Sequence, residues 1–319
     1  MATLRRSSSS YGGFADGILI RGMPLLTLYP GNIYWVDSGG GGGSKGTFNH
    51  PCLTLAAAHD LCTTDNGDII VLKPGHAETY TATVDFSKSG FAVIGLGFGD
   101  NRPTFTNGIT AAGDDAFDFA GDDIVVYNLK WKEAAPAGSA VVAFNASGDN
   151  FHIENCYIEL GGKTLTFLTH DTTAKKGLSV INNTIVGTAA GPDVGIRVET
   201  THLYAHIAGN KWLLDLSLGI DTGCIVFVSG TTAAGNHLIE DDVVLGLSSA
   251  QVYTKQTTVQ SMSLCRNVHI MALSVHNCMG VSTAGGLGFI NCMGVQEATA
   301  IPAAADVSGS MPANCTPEI

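Results

Sequence analysis

The sequence predicts an all-β fold: a single-stranded parallel β-helix with a short N-terminal capping helix and an extended N-terminal arm. Three observations predict it. Glycine fills 40 of 319 positions, well above the usual ~7%, yet without the every-third-residue period of collagen. Charged residues are only 14% and hydrophobic residues 45%; that excludes a disordered chain and, with so much glycine, a helical bundle. Finally, β-rich runs ending in Asn recur at a nearly constant spacing. DDIVVYNLKW, DNFHIENCYI, KGLSVINNTI and LYAHIAGNKW align on Asn128, Asn155, Asn183 and Asn210, at steps of 27, 28 and 27 residues, and NHLIEDDVVL puts Asp241 in the same slot 31 residues later. A repeat of this length signals stacked supersecondary units. No apolar segment of helical period separates the runs, so a βαβ fold is excluded.

The elements follow in order. Residues 1–32 read as an arm, basic and Ser-rich at first, carrying Arg5, Arg6 and Arg21 against Asp16. Residues 33–319 read as one β-helix domain, with a cap over 33–67 and coils over 68–319. SGGGGGSKGTFNHP (38–51) is a loop by composition. LTLAAAHDLC (53–62) is the one short helix, with Leu53, Leu55, Ala56, Ala58, His59, Leu61 and Cys62 available for an apolar face. DIIVLKPG is a buried strand ending in a turn. From there the chain reads as short strands separated by Gly/Asn/Asp turns. At a tight corner Asn tolerates the left-handed conformation, and stacked Asn amides can hydrogen-bond along the column. The register weakens after about residue 245, where Asn267, Asn277 and Asn291 recur irregularly.

Charge and cysteine usage narrow the partners. The formal charge is −12 and the pI near 5.1, so nucleic acid is not an expected partner. The stretch between Arg266 and Glu297 has no Asp, Glu, Lys or Arg and is long enough to span a bilayer. It is broken by Gly280, Gly285, Gly286, Gly288 and Gly294, which favours buried β-structure, and no membrane contact is expected. MATLRRSSSSYGG lacks the apolar core of a secretory signal. The eight cysteines have no zinc-site spacing and read as reduced core thiols. No metal or cofactor is expected.

Candidate chemistry is sparse. The carboxylates to weigh are Asp114–Asp115, Asp118, Asp122–Asp123 and Asp241–Asp242. Neighbours on a strand face opposite sides, so a two-carboxylate glycosidase site would need partners from adjacent coils; turn residues at coil corners are the simpler reading. His76 and Glu78 follow the first coil but make a poor metal site, and Asp37 beside the glycine run lacks acidic companions. GGGGGSKGT misses the phosphate-loop spacing by one position. Trp131, Trp212, Tyr157 and Tyr204 could stack on sugar, although a core or interface position is the simpler reading. The expectation is that the chain has no catalytic residues and is not an enzyme.

The segment GNIYWVDSGGGGGSKGTFNHPCLTLAAAHDLCTTDNGDIIVLKPGHAETY resembles the start of a pectin-lyase-like right-handed β-helix. Its strand Trp35–Val36–Asp37, its Pro51-to-Leu61 cap and its Gly67-to-Gly75 first coil carry the likeness. A helix there would cover an otherwise open solenoid end. Gly113–Asp114–Asp115 has a faint galacturonase look, but that family's companion motifs are missing. Arg21 to Leu26, Tyr29–Pro30–Gly31, Gly95–Leu96–Gly97 and Arg102–Pro103–Thr104 resemble a group of tailed-phage virion proteins that includes trimeric, tailspike-like cement proteins of the capsid exterior. The resemblance implies a homotrimeric capsid decoration protein in the virion, assembled in the host cytoplasm and bound to the major capsid protein. Its docking residues would be Arg5, Arg6, Tyr11, Phe14, Arg21, Met23, Leu25 and Leu26. The alternative it leaves open is a tailspike or fibre that binds or depolymerises host surface polysaccharide.

Overall fold

A computed structural model describes residues 18–20, 23–25, 31–40, 45–109, 115–133, 142–161, 166–170, 175–187, 194–198, 202–214, 223–228, 235–247, 253–256, 263–272, 279–281 and 287–296. From Asp68 onward the chain winds through three parallel sheets in strict rotation. The first sheet has ten strands, from Ile33–Val36 to Leu287–Ile290; the second has nine, from Ala77–Tyr80 to Met293–Gln296; the third has eight, from Val84–Phe86 to Met279–Val281. Each strand pairs with its equivalent one turn earlier and one turn later, as in Val125↔His152, His152↔Ser179 and Ser179↔His206. This is the parallel β-helix that the sequence predicts. The charge-free stretch after Arg266 supplies strands of all three sheets, and no helix among the described residues is long and apolar enough to cross a membrane.

The interior is a set of columns, because in-register pairing stacks like positions. The first sheet contributes Ile70, Val93, Val126, Ile153, Val180, Ile207 and Ile239. The second contributes Phe105, Trp131, Ile158, Ile185, Trp212, Val244 and Ile270. In the third, Phe86 lies flat on Phe119 at 4.5 Å between ring centres, and Phe117 meets Phe144 edge-on at 5.4 Å. Trp131 and Trp212, weighed above as sugar platforms, are wholly buried.

The capping helix is Leu55–Leu61, shorter than 53–62. Thr54 accepts the Ala57 amide at its N-terminus, which starts the helix at Leu55, two residues after Leu53. Leu55, Ala58 and His59 are buried against the solenoid end, whereas Leu53 is exposed.

The Asn ladder exists, but it is two ladders. An outer column with left-handed backbone runs through Asn128, Asn155, Asn182, Gly209, Asp241, Asn267 and Asn291. Asn155 donates to Asn128, Asn267 to Asp241 and Asn291 to Asn267, at 2.9–3.1 Å. Asn183 and Asn210 belong to a second, buried column one residue further on. The expected alignment crossed from one column to the other, which is why its second step was 28 rather than 27. Gly209 takes the same left-handed backbone, φ +65°, which glycine adopts without strain, and the absence of an Asn there masks the outer repeat.

The second sheet's outward face changes character along the axis. Early coils carry Lys130, Lys132, Tyr157 and Glu159, with the Lys130 ammonium 3.9 Å from Glu159 and 5.4 Å from the Tyr157 ring centre. Later coils align Val186, Leu213, Leu245 and Met271 in register; Leu213, Leu245 and Met271 are each 38–39% exposed.

Candidate functional site on the third sheet

The third sheet holds its inward side chains by aromatic packing, and this directs one residue per coil outward. In Val84–Phe86 and Asp115–Phe119 the flanking Val84, Phe86, Phe117 and Phe119 are core residues, so Asp85 and Asp118 project from the outer face. They are register partners. The same register column continues through Asn145, Thr169, Arg197 and Val226, of which Thr169 and Val226 are buried. In-register neighbours stand about 4.8 Å apart. Two carboxylates therefore stand on adjacent strands of one face, the arrangement of partners from neighbouring coils that a two-carboxylate site requires. Asn145 Nδ2 donates to Asp118 Oδ1 at 3.4 Å, which orients that carboxylate. Asp85 and Arg197 are exposed, and Asp118 and Asn145 are half-buried. The face thus offers carboxylates for acid–base work, an amide, and a guanidinium suited to a uronate carboxylate. Among the described residues no cluster of His, Cys, Asp or Glu has the arrangement of a metal site.

Asp118 was among the sequence candidates; Asp85 was not. The two are 33 residues apart, outside the 27-residue repeat, so spacing gave no sign of the pairing. The other candidates serve the fold. Asp122 and Asp123 stand at a coil corner, where Asp123 has φ 55° and accepts from Asn150, and Asp122 accepts from the Asp149 amide. Asp241 lies in the outer ladder and Asp242 in the buried one. Glu78 Oε2 accepts the Leu55 amide at 2.9 Å, and His76 Nδ1 accepts that of Ser38 at 3.0 Å, fastening helix and loop to the first coil. Asp37 pairs with Lys73 at 3.2 Å. Tyr157 is half-buried, and Tyr204 occupies a corner at φ 60°. Asp115 begins a strand; Asp114 lies outside the described residues, as do Arg5, Arg6, Tyr11, Phe14, Arg21 and Leu26. Met23 and Leu25 fall in the strand Met23–Leu25, which pairs antiparallel with Ile18–Ile20.

Sequence reasoning also missed a histidine column at the third corner. His170 and His202 meet edge-on at 4.3 Å between ring centres, His202 and His237 lie 5.8 Å apart, and all three are buried. Burial draws His170 down to about 4 and His202 to about 2, so these rings are neutral core groups at ordinary pH.

No family model matches the sequence, and no curated protein matches it. Solved structures do resemble the fold. A GH136 lacto-N-biosidase from Eubacterium ramulus matches with TM-score 0.46 at 12% identity over 84% of this chain. The pectate lyase Pel9A matches with TM-score 0.40 at 14% identity, over 83% of this chain and 77% of its own. A rhamnogalacturonan lyase matches with TM-score 0.39 at 12% identity, over 82% of this chain and 84% of its own. The chain spans 64% of the length of the lacto-N-biosidase. The likeness is one of fold, a β-helix that this chain shares with a glycoside hydrolase and polysaccharide lyases. The expectation that the chain is not an enzyme is corrected here: the neighbours are a glycoside hydrolase and two lyases, enzymes all.

Proposed function

We propose that the chain is a polysaccharide-binding or polysaccharide-cleaving β-helix of a virion spike, with the third sheet's outer column as its glycan face. The observation that carries this reading is the register pairing of Asp85 with Asp118 on one exposed face, continued by Asn145 and Arg197. Asp118, oriented by Asn145, acts on the glycosidic bond with Asp85 as its partner, and Arg197 binds an acidic sugar further along the axis. The test is to incubate the full chain with bacterial surface polysaccharides and acidic plant glycans. Binding is measured calorimetrically, new reducing ends colorimetrically, and unsaturated uronate by ultraviolet absorbance. Binding or cleavage is expected, with Asp118→Asn lowering turnover at least about 100-fold. Sugar binding and turnover indifferent to both Asp85→Asn and Asp118→Asn would overturn the assignment.

A second reading concerns location and assembly, and the apolar column Val186–Leu213–Leu245–Met271 favours it. In this reading the chain is a homotrimer on the capsid exterior, residues 1–32 grip the major capsid protein, and the apolar column is where copies meet. A second copy is the fitting occupant because it presents the same column at the same coil spacing. The outward positions around it include Lys211, His269 and, at its early end, the carboxylate of Glu159 in register with Val186; beyond Val186 the column itself is uncharged, so copies of a chain of charge −12 can approach there. Leu245→Glu is expected to yield monomers by light scattering, and removal of residues 1–22 to abolish co-sedimentation with capsids while trimers persist. Trimers that survive Leu245→Glu would place the contact on another face.

A further inference from the structure

Two cysteines left unexplained by the glycan face meet near the C-terminal end of the described coils. Cys265 lies on the strand Ser263–Arg266 and points into the core, fully buried. Cys292 occupies the next coil's corner, between Leu287–Ile290 and Met293–Gln296, and retains 8% exposure. Their Sγ atoms are 3.7 Å apart, and the Cys292 sulfur also lies 3.4 Å from the Cys265 carbonyl oxygen. Both thiols are free. The same two coils are joined by backbone pairing, core packing and the Asn291–Asn267 ladder hydrogen bond at 2.9 Å.

We propose that Cys265 and Cys292 form a disulfide when the protein meets an oxidised thiol pool, stapling two successive coils. The sulfurs are already in contact, and closing to the ~2.05 Å bond length needs side-chain rotation within one corner rather than movement between domains. The contact between the two sulfurs draws the Cys292 thiol below its ordinary value, and Cys292 is the member that solvent can reach. With oxidised glutathione as oxidant, the Cys292 thiolate attacks one glutathione sulfur and expels glutathione thiolate. The Cys265 thiol, losing its proton to solvent, then attacks Cys292 Sγ and expels the second. Two cysteine thiols are oxidised by two electrons, one glutathione disulfide is reduced to two thiols, and the glutathione thiolates take up the protons. The closed loop spans 27 residues and restrains the unfolded chain accordingly. Cys156 and Cys224, fully buried on their own coils, are internal controls.

The test uses the full chain made under reducing conditions, exposed to oxidised glutathione and mapped by mass spectrometry without reduction. The expected result is a Cys265–Cys292 cross-linked peptide pair, with Cys156 and Cys224 remaining alkylatable after denaturation. Amide exchange in Ser263–Arg266 and Leu287–Ile290 should slow about tenfold on oxidation, an effect absent in Cys292→Ser. Recovery of both cysteines as free thiols, a stable glutathione adduct on Cys292, or Cys265 joined to a different cysteine would each overturn the proposal. The wild-type map decides the matter even if the serine variant misfolds.

Discussion

Replacing Asp242 by alanine is expected to destabilise the protein by about 5 kcal/mol, at the far end of what one substitution does. Asp242 is fully buried in the inner ladder. Its Oδ1 accepts from the Asn210 amide at 2.7 Å and from Asn210 Nδ2 at 3.2 Å; its Oδ2 accepts from Trp212 Nε1 at 3.1 Å and from the Tyr253 hydroxyl at 2.7 Å. Alanine leaves those donors buried without an acceptor, at about 1–3 kcal/mol each. The damage extends down the column, since Asn210 Oδ1 accepts from the Asn183 amide and Asn183 Oδ1 from that of Cys156. Urea unfolding checks it; a loss under about 1 kcal/mol would show that the column is not holding these coils together. Asp242→Asn keeps the shape but sets an amide N–H against the Trp212 N–H, so a loss of about 2 kcal/mol is expected. Burial pushes the Asp242 carboxyl up to about 6 from its ordinary 3.8. The folded state therefore holds a proton that the unfolded chain releases first. The resulting stability is fully present below the ordinary value and is lost as pH rises through about 6, a change of about 3 kcal/mol. Asp242→Asn should remove this part of the pH profile.

Asp68→Ala is expected to cost about 4 kcal/mol and to loosen the cap before the coils. This carboxylate is also fully buried. It accepts from the Asn32 amide at 2.7 Å and side chain at 3.2 Å, from Asn66 Nδ2 at 2.7 Å, and from the Thr63 amide at 2.6 Å. It thereby joins the lead-in to the first strand, the exit from the capping helix and the first coil, and three segments lose their hydrogen bonds to one buried charged acceptor together, at about 1.5–3 kcal/mol each for bonds of this kind. Limited proteolysis should cut the loop at 38–51 in the variant at concentrations that spare the native chain; equal resistance would count against the role. Burial alone would raise the Asp68 carboxyl, but the hydrogen bonds from Thr63, Asn32 and Asn66 hold it below its ordinary 3.8. Its stabilisation is present above that value and is lost as pH falls through the lowered one. Asp68 thus favours higher pH up to the ordinary carboxylate value and Asp242 lower pH above it, so these two groups together place their joint optimum near 3.8.

The architecture was legible because its repeat is written in residue types that corners require. Asn128 and Asn155 are 27 residues apart and hydrogen-bond to each other; the periodicity is the contact. The helix was legible from Thr54 and the apolar run that follows it. What sequence could not separate was two ladders one residue apart, because Asn suits both the exposed left-handed slot of Asn155 and the buried amide slot of Asn183. The column of Asp85 and Asp118 was illegible for another reason. Their register crosses a coil of 33 residues, and which residues of a three-sheeted coil face outward depends on where the corners fall. The histidine column was hidden likewise: His170 ends a strand while His202 and His237 precede one, so no local pattern marks them as neighbours.

The three successive 27-residue steps of the outer ladder make the middle of this protein a ruler. Each such coil touches only its two neighbours and repeats their corner geometry, so a coil could be gained or lost between Val125 and Ala208 with every remaining pairing conserved. The change would move everything beyond it by one strand spacing, about 4.8 Å. The reach from the cap to the far end can therefore be set in whole increments by recombination, with no side chain redesigned.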